Sequence, residues 1–163
     1  MSPAVPTSIM KSVPLTLAFT CVVFLSLVVT GVGVFAQDKK MQLKNLPTAV
    51  QKAVEEQTQG ATLVGFAEER EDGRIFYEAE TKVNGRARDL LFDGAGTLVE
   101  VEEEVAPAAL PAAVQSALRT HGKVLKVESV TKGSTVTYEA QVEKNGKKSD
   151  VVVDATGNAI VQR

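Results

Sequence analysis

Side chains that commonly carry out catalysis or bind metals are scarce in this sequence. Its 163 residues include one His and one Cys, so an intramolecular disulfide is impossible and a zinc site with several His or Cys ligands is hard to assemble. His121 lies near the end of a predicted helix without a nucleophile motif beside it, and we interpret it as structural. A glycine-rich phosphate loop and a nucleophile elbow are also missing from the sequence. We therefore predict that the protein is not an enzyme, with no catalytic residue and no cofactor.

Two aspartates begin similar short loops, where carboxylate oxygens could bind a cation. The loops read Asp93-Gly94-Ala95-Gly96 and Asp154-Ala155-Thr156-Gly157. Calcium takes six to eight oxygen ligands, and neither loop supplies that many. An aspartate that accepts backbone hydrogen bonds within a turn needs only itself and a following glycine. We interpret Asp93, Gly96, Asp154 and Gly157 as a turn motif and predict no metal site.

Paired tyrosines and acidic residues alternate along two predicted strands. The matching segments are Tyr77-Glu78-Ala79-Glu80 and Tyr138-Glu139-Ala140-Gln141. An alternation with a period of two predicts one buried and one solvated face. The tyrosines belong to the buried set, with hydroxyls that reach the surface, or alternatively serve as binding anchors. These six polar and aromatic positions are the candidate partner-binding residues: Tyr77, Glu78, Glu80, Tyr138, Glu139 and Gln141.

The charge pattern excludes one class of partner and points to another. With 18 Lys and Arg against 20 Asp and Glu, the chain lacks the basic excess of a nucleic-acid binder. Acidic clusters lie at 68–72 and 100–104. Charges on strands deter edge-to-edge aggregation. They could equally form a patch for a basic partner, whose binding would then be salt-sensitive.

The elements that position these residues recur along the chain. The segments 46–55 and 110–119 share six of ten residues, and the segments 77–99 and 138–160 share eight of 23. Such matched periodicity indicates an internal duplication. Each copy predicts a helix that begins near Pro47 or Pro111 and then four strands, with hairpins at Asn84-Gly85 and Asn145-Gly146.

The predicted fold class is therefore α+β, with two tandem repeats of one helix followed by a four-stranded antiparallel sheet. The repeats span 43–104 and 110–163, joined by a linker at 105–109. The fourth strands are expected at about 97–104 and 158–162. The sequence does not decide whether the two sheets join edge to edge.

The N-terminus has the pattern of an export signal. No charged residue occurs between Ser12 and Gln37, and the stretch Leu15 to Phe35 is strongly apolar. Val34-Phe35-Ala36 fits a signal peptidase site, so residues 1–36 are predicted to be a signal peptide cleaved after Ala36. The alternative is an uncleaved membrane anchor, since about 20 apolar residues can span a bilayer.

The segment from Asp154 to Ile160 resembles the end of PepSY and PepSY-like units, which finish in a similar Asp-x-x-Gly turn before an apolar residue. Gly157 and Ile160 complete the match, and Asp93, Gly96 and Val99 are the first-copy equivalents. PepSY-like domains are also compared with the beta-lactamase inhibitor protein. The resemblance covers nearly all of residues 43–163. It implies a secreted or periplasmic binding domain that regulates or inhibits a peptidase or another exported enzyme. It supplies no catalytic residue.

Together these features predict a non-catalytic, exported binding module that uses its sheet faces to hold another exported protein in the periplasm or outside the cell. No nucleic acid is expected as a partner, and the membrane is expected only through an uncleaved signal segment. The alternative is a small-molecule or cation-binding envelope protein that uses the two Asp turns and the acidic clusters.

Overall fold

A computed structural model describes residues 39–71 and 73–160. This part of the chain folds into one antiparallel sheet of eight strands, ordered β1 to β8 as in the sequence. The strands are β1 (Lys39–Met41), β2 (Thr62–Glu71), β3 (Arg74–Val83), β4 (Arg86–Asp93), β5 (Leu98–Glu104), β6 (Lys123–Lys132), β7 (Thr135–Lys144) and β8 (Lys147–Asp154). The helices are α1 (Thr48–Gln57) and α2 (Ala112–His121), with short 3-10 helices at Leu43–Asn45 and Pro107–Ala109.

Two-residue Asn-Gly hairpins set the register between β3 and β4 and between β7 and β8. Asn84 and Gly85 join β3 to β4 with φ of 53° and 81°, and Asn145 and Gly146 join β7 to β8 with φ of 55° and 73°. A type I′ turn needs positive φ at both central residues, which Asn and Gly tolerate best. The predicted hairpins are therefore present at both places.

Both helices pack on the face of the sheet to which the apolar side chains of the alternating strands point. Val50 and Val54 of α1 are buried with Leu90 and Phe92 in one core cluster. Val114 and Leu118 of α2 are buried with Val153 and others in a second cluster. Each helix begins after a proline in extended conformation, Pro47 or Pro111. The helices therefore cover one face of the sheet.

The predicted fold class, α+β with two tandem repeats of one helix and a four-stranded antiparallel sheet, is wrong. The strand β5 pairs with β6, where Val101–Glu104 lie opposite Glu128–Thr131, so the strands belong to a single, predominantly β structure. Within the described residues, the strand predicted at 158–162 is reduced to a bridge between Val153 and Ala159. A shared sheet pairs backbone groups that two separate sheets would leave open at their edges.

Two further boundaries were predicted, those of the linker and of the signal peptide. The predicted linker at 105–109 contains a 3-10 helix and is tied to the sheet, because the N–H of Val105 donates to the carbonyl of Val127 at 3.0 Å. The predicted signal peptide, residues 1–36, lies outside the described residues. In the part of the chain that the structure describes, neither helix has the length and apolar character needed to cross a membrane.

Candidate functional site

The side of the sheet opposite α1 and α2, called the helix-free face below, is covered by no other described element. Its residues are fixed by the register. In β3 they are Phe76, Glu78 and Glu80, because Tyr77 and Ala79 pack toward α1. Cross-strand partners share a face in an antiparallel pair. Glu78 therefore lies beside Leu91, and Glu80 beside Asp89.

Acidic side chains dominate the middle of this face. Between β4 and β5, Leu91 pairs with Glu100 and Asp89 with Glu102. Between β6 and β7, Glu128 pairs with Glu139. The central acidic residues of the helix-free face are Glu78, Glu80, Asp89, Glu100, Glu102, Glu128 and Glu139. Carboxylates crowded in this way repel each other when they are ionised.

Several of these side chains are buried although no layer covers them. Glu78, Asp89 and Glu100 are only 6%, 5% and 8% exposed. Phe76 and Leu91, on the same face, are also buried. On an uncovered face, burial comes from neighbouring side chains packed closely together. A negative charge on any of these carboxyls would therefore be poorly solvated.

Burial and repulsion together change the acidity of Glu78. Burial, followed by the charges of Glu69, Asp89, Glu80 and Glu102, raises the pKa of Glu78 to about 9. Neither effect favours the charged form, so the side chain is protonated at neutral pH.

Two neighbouring carboxyls on this face are affected in the same direction. Burial, followed by the charges of Glu100, Glu128 and others, raises the pKa of Glu102 to about 8. Burial raises the pKa of Asp89 to about 6, partly offset by a hydrogen bond of 3.2 Å from the backbone N–H of Thr81 to its Oδ1 atom. The face therefore carries less negative charge near neutrality than its composition indicates.

Two lysines partly neutralise the face from β6. The Nζ atom of Lys132 lies 2.9 Å from Oε2 of Glu100, and Nζ of Lys126 lies 2.7 Å from Oε1 of Glu128. Both lysines are near the middle of the sheet, where β5 meets β6.

The structure divides the predicted partner-binding residues between two faces. Glu78, Glu80, Glu139 and Gln141 lie on the helix-free face. Tyr77 and Tyr138 lie on the other side and pack against the two core clusters. The two tyrosines and the acidic residues therefore do not form one surface. In addition, Glu78 is buried rather than solvated as the alternation predicts, because its neighbours crowd it.

Asp93 and Asp154 use their carboxylates within their own turns. Oδ1 of Asp93 accepts from the N–H groups of Ala95 and Thr97, each at 2.9 Å. Oδ1 of Asp154 accepts from the N–H groups of Thr156 and Asn158 at 2.8 and 2.9 Å. These donors hold the pKa of both carboxyls below the ordinary value. The Oδ1 atom of each carboxylate therefore serves the conformation of its own turn.

The glycines of the same turns lie directly against the helices. Gly96 and Gly157 have φ of 82° and 85° and face the backbone of α1 and α2. The Asp-x-x-Gly pattern therefore positions the helices on the sheet. Among the described residues, no group of three or more His, Cys, Asp or Glu is arranged to hold a metal ion.

Sequence reasoning did not single out Asp89 and Leu91, and it treated Glu100 and Glu102 only as part of an acidic cluster. Asp89 follows the hairpin by a few residues within an otherwise apolar strand end, Asp89-Leu90-Leu91-Phe92. Its pairing with Glu80 and Glu102 comes from the register of three strands, which the local sequence does not show. His121, at the end of α2, is exposed and lies on the opposite side.

Solved structures share this fold. A candidate periplasmic protein from Bacteroides eggerthii is 23% identical with a TM-score of 0.60, and the match covers 72% of this chain and 88% of that protein. A BLIP-like protein from Bacteroides fragilis is 22% identical with a TM-score of 0.56, covering 72% and 85%. A DUF2874 family protein from Bacteroides uniformis is 23% identical with a TM-score of 0.59, covering 71% and 86%.

Neither a protein-family model nor a curated protein matches the chain. The predicted resemblance to proteins like the beta-lactamase inhibitor protein is confirmed at the level of the fold, while the resemblance to PepSY units stays a prediction. The chain shares the fold of a BLIP-like protein and of DUF2874 family proteins.

Proposed function

We propose that the protein is a non-catalytic, exported binding module that holds another exported protein on its helix-free face and so inhibits or regulates a peptidase or another enzyme. The observation that carries this proposal is the face itself, a sheet surface without a covering layer that bears the seven central acidic residues defined above. A surface that concentrates charge of one sign attracts partners of the opposite charge.

Three further observations support the proposal. The apolar segment before Gln37 favours export, and the structural neighbour from B. eggerthii is described as a candidate periplasmic protein. The scarcity of His and Cys favours binding over catalysis. The partner is expected to present a basic surface, because opposite charges steer association and determine which partners fit. The contact would be wet and polar.

The alternative, a cation-binding protein that uses the Asp93 and Asp154 turns, has no comparable support. Backbone N–H groups of their own loops donate to Oδ1 of both carboxylates, which supports a role within the turns. The observations therefore favour the protein-binding function.

Affinity capture tests the proposal with three forms of the purified protein. The first is native. In the second, Glu80→Lys and Glu139→Lys reverse two charges on the helix-free face. In the third, the matched control, Glu55→Lys and Glu56→Lys reverse two exposed charges on α1. Exported proteins of the source cell are passed over each at low and moderate salt.

The expected result is a partner that the native and control forms retain and the helix-free-face variant loses, with weaker retention at moderate salt. The partner's own enzymatic activity is then measured with and without the protein, and a decrease or change supports the regulatory role. Equal retention by all three forms, or no retention at low salt, would contradict binding through this face.

A further inference from the structure

A groove of about 280 Å³ opens on the helix side of the sheet, where α2, the 3-10 helix before it and the start of β6 meet. Its floor is apolar and consists of Leu110, Leu118 and Val124, of which the two leucines are buried. Arg119 and Lys123 also line it and are exposed, so they lie at its mouth. We call this place, lined by these five residues, the α2 groove. An apolar lining with a few polar groups is typical of small-molecule sites.

Short side chains in the segment before α2 leave room for this groove. Before α1, Met41 and Leu43 pack against the core cluster. The residues at the same distances before α2 are Val105 and Pro107, and Pro107 is exposed. Both are smaller than their counterparts before α1. The α2 groove is therefore a difference between two similar halves of the chain.

The side chain of Gln115 ties the two walls of the groove together. Its Nε2 atom donates to the carbonyl of Leu110 at 2.9 Å and to that of Ala108 at 3.4 Å. Its Oε1 atom accepts from Nη2 of Arg119 at 2.7 Å. These contacts engage both N–H groups and the oxygen of the amide. The walls are thus held in place before any ligand arrives, and Gln115 has no N–H group left to offer one.

The positive charge at the mouth indicates what kind of ligand fits. A guanidinium carries several N–H donors, and the contact with Gln115 uses the Nη2 side of Arg119 alone. Lys144 is close as well, since its Nζ atom donates to the carbonyl of Thr120 at 3.1 Å. The register places an acidic residue, Glu143, opposite Lys123. In a chain with a net charge of −2, positive charge is therefore concentrated where the apolar groove opens.

We propose that the α2 groove binds a medium-chain carboxylic acid, with its alkyl chain on Leu110, Leu118 and Val124 and its carboxylate on the guanidinium of Arg119. Arginine binds carboxylates through two parallel N–H bonds, and such charge-assisted bonds are stronger than neutral ones. The α2 groove and the helix-free face are on opposite sides of the sheet. The inference therefore goes beyond the proposed function and does not rest on it.

An alkyl chain suits this groove better than a peptide does. The N–H and C=O groups of a buried peptide need hydrogen-bond partners, and the amide hydrogens of Gln115 are already given to Ala108 and Leu110. An alkyl chain needs no such partner. The volume of about 280 Å³ is also at the low end for pockets that hold drug-sized ligands, which measure roughly 300–1,000 Å³. A single chain with one charged end matches both features.

An NMR titration of the purified protein with octanoate, below the concentration at which it forms micelles, tests this inference. The amide signals of Ala108, Gln115, Arg119 and Gly122 should shift and saturate. Hexanoate should bind about tenfold more weakly, because each buried methylene group is worth roughly a factor of four. Octylammonium has the same chain and the opposite charge, and it should also bind about tenfold more weakly or worse at equal ionic strength.

Two variants separate the role of the charge from that of the shape. Arg119→Glu introduces the residue type that α1 has at the matching position, Glu55, and should weaken octanoate binding about tenfold or more. Ala108→Leu narrows the groove without changing a charge and should also weaken binding. Both residues are exposed, and circular dichroism verifies the fold of each variant. Glu55→Lys on α1 is the matched control and should bind octanoate as the native protein does.

Several results would overturn the inference. These are an absence of saturable shifts at millimolar octanoate, shifts confined to other parts of the protein, equal binding of octylammonium, or full affinity in both variants. Tighter binding of a short peptide that ends in leucine would also overturn it, because the occupant would then be a chain terminus. None of these results affects capture on the helix-free face, so failure of this inference and failure of the proposed function are distinguishable.

Discussion

Gly96 lies against the first turn of α1, where a Cβ atom on this glycine would be 2.6 Å from the carbonyl oxygen of Ala49. Gly157 meets Ala113 of α2 in the same way, at 2.7 Å. Both glycines follow an Asp-capped turn after β4 or β8. The turn motif thus sets how closely each helix approaches the sheet, and with it which face remains uncovered.

Replacing Gly96 with Ala should destabilise the protein for two reasons. Its φ of 82° costs a side chain about 1–2 kcal/mol, and the close approach to backbone adds about 1–3 kcal/mol. Urea unfolding measures the total. Gly85→Ala is the matched control, since its φ is 81° but no atom lies within 4 Å of the added Cβ. Equal losses of stability in the two variants would show that α1 can move away from the added Cβ atom without a measurable loss of free energy.

Truncating the core on one side should weaken the whole sheet. Leu118 is fully buried, and Leu118→Ala is expected to cost about 2–5 kcal/mol. Because β5 and β6 are paired, amide hydrogen exchange in β3 and in β7 should accelerate together. The exposed Leu125 is the control, and Leu125→Ala should have little effect. Loss of protection in β7 alone would mean that the two core clusters unfold separately.

Local patterns were sufficient to predict much of the fold. The Asn-Gly turns, the prolines before the helices and the period-two alternation each depend on a few neighbouring residues, and the structure has these elements close to the predicted positions. The pairing of β5 with β6 depends on residues about 30 positions apart. No local signal marks such a pairing, so the sequence left open whether the sheets join, and the predicted class of two repeats with one four-stranded sheet each was wrong.

The candidate site was predictable only in part for the same reason. Alternation placed Glu78, Glu80 and Glu139 on one face, as the structure does. Their crowding comes from Asp89, Glu100 and Glu102 on other strands, which only the register brings together. The burial of Glu78 is therefore a tertiary effect that a single strand's pattern does not contain.

The Asp154 turn should make the stability of the fold depend on pH in the acidic range. Donors from Thr156 and Asn158 lower the pKa of the Asp154 carboxyl, so the folded state binds fewer protons than the unfolded state. The stabilisation is present above the unfolded value near 3.8 and is lost as the pH falls toward the lower folded value. Asp154→Ala should lower the melting temperature at neutral pH, and the difference from the native protein should shrink below about pH 3. An unchanged difference there would show that the contribution of the carboxylate is not ionic.

The buried Glu78 carboxyl should make the stability of the fold decrease at alkaline pH, the opposite of the effect of Asp154. Burial and neighbouring charges raise the pKa of Glu78 from 4.5 to about 9, so the folded state holds a proton that the unfolded state releases. Stability is then complete below pH 4.5 and decreases as the pH rises toward 9, at up to about 1.4 kcal/mol per pH unit for each such proton.

Urea unfolding of the native protein and of Glu78→Gln across pH 6 to 9 measures this decrease. The variant is neutral at every pH in both the folded and the unfolded state, so its stability relative to that of the native protein should increase steadily from pH 6 to pH 9. Glu55→Gln, exposed on α1, should follow the native curve throughout. If Glu78→Gln also followed the native curve, folding would not raise the pKa of Glu78.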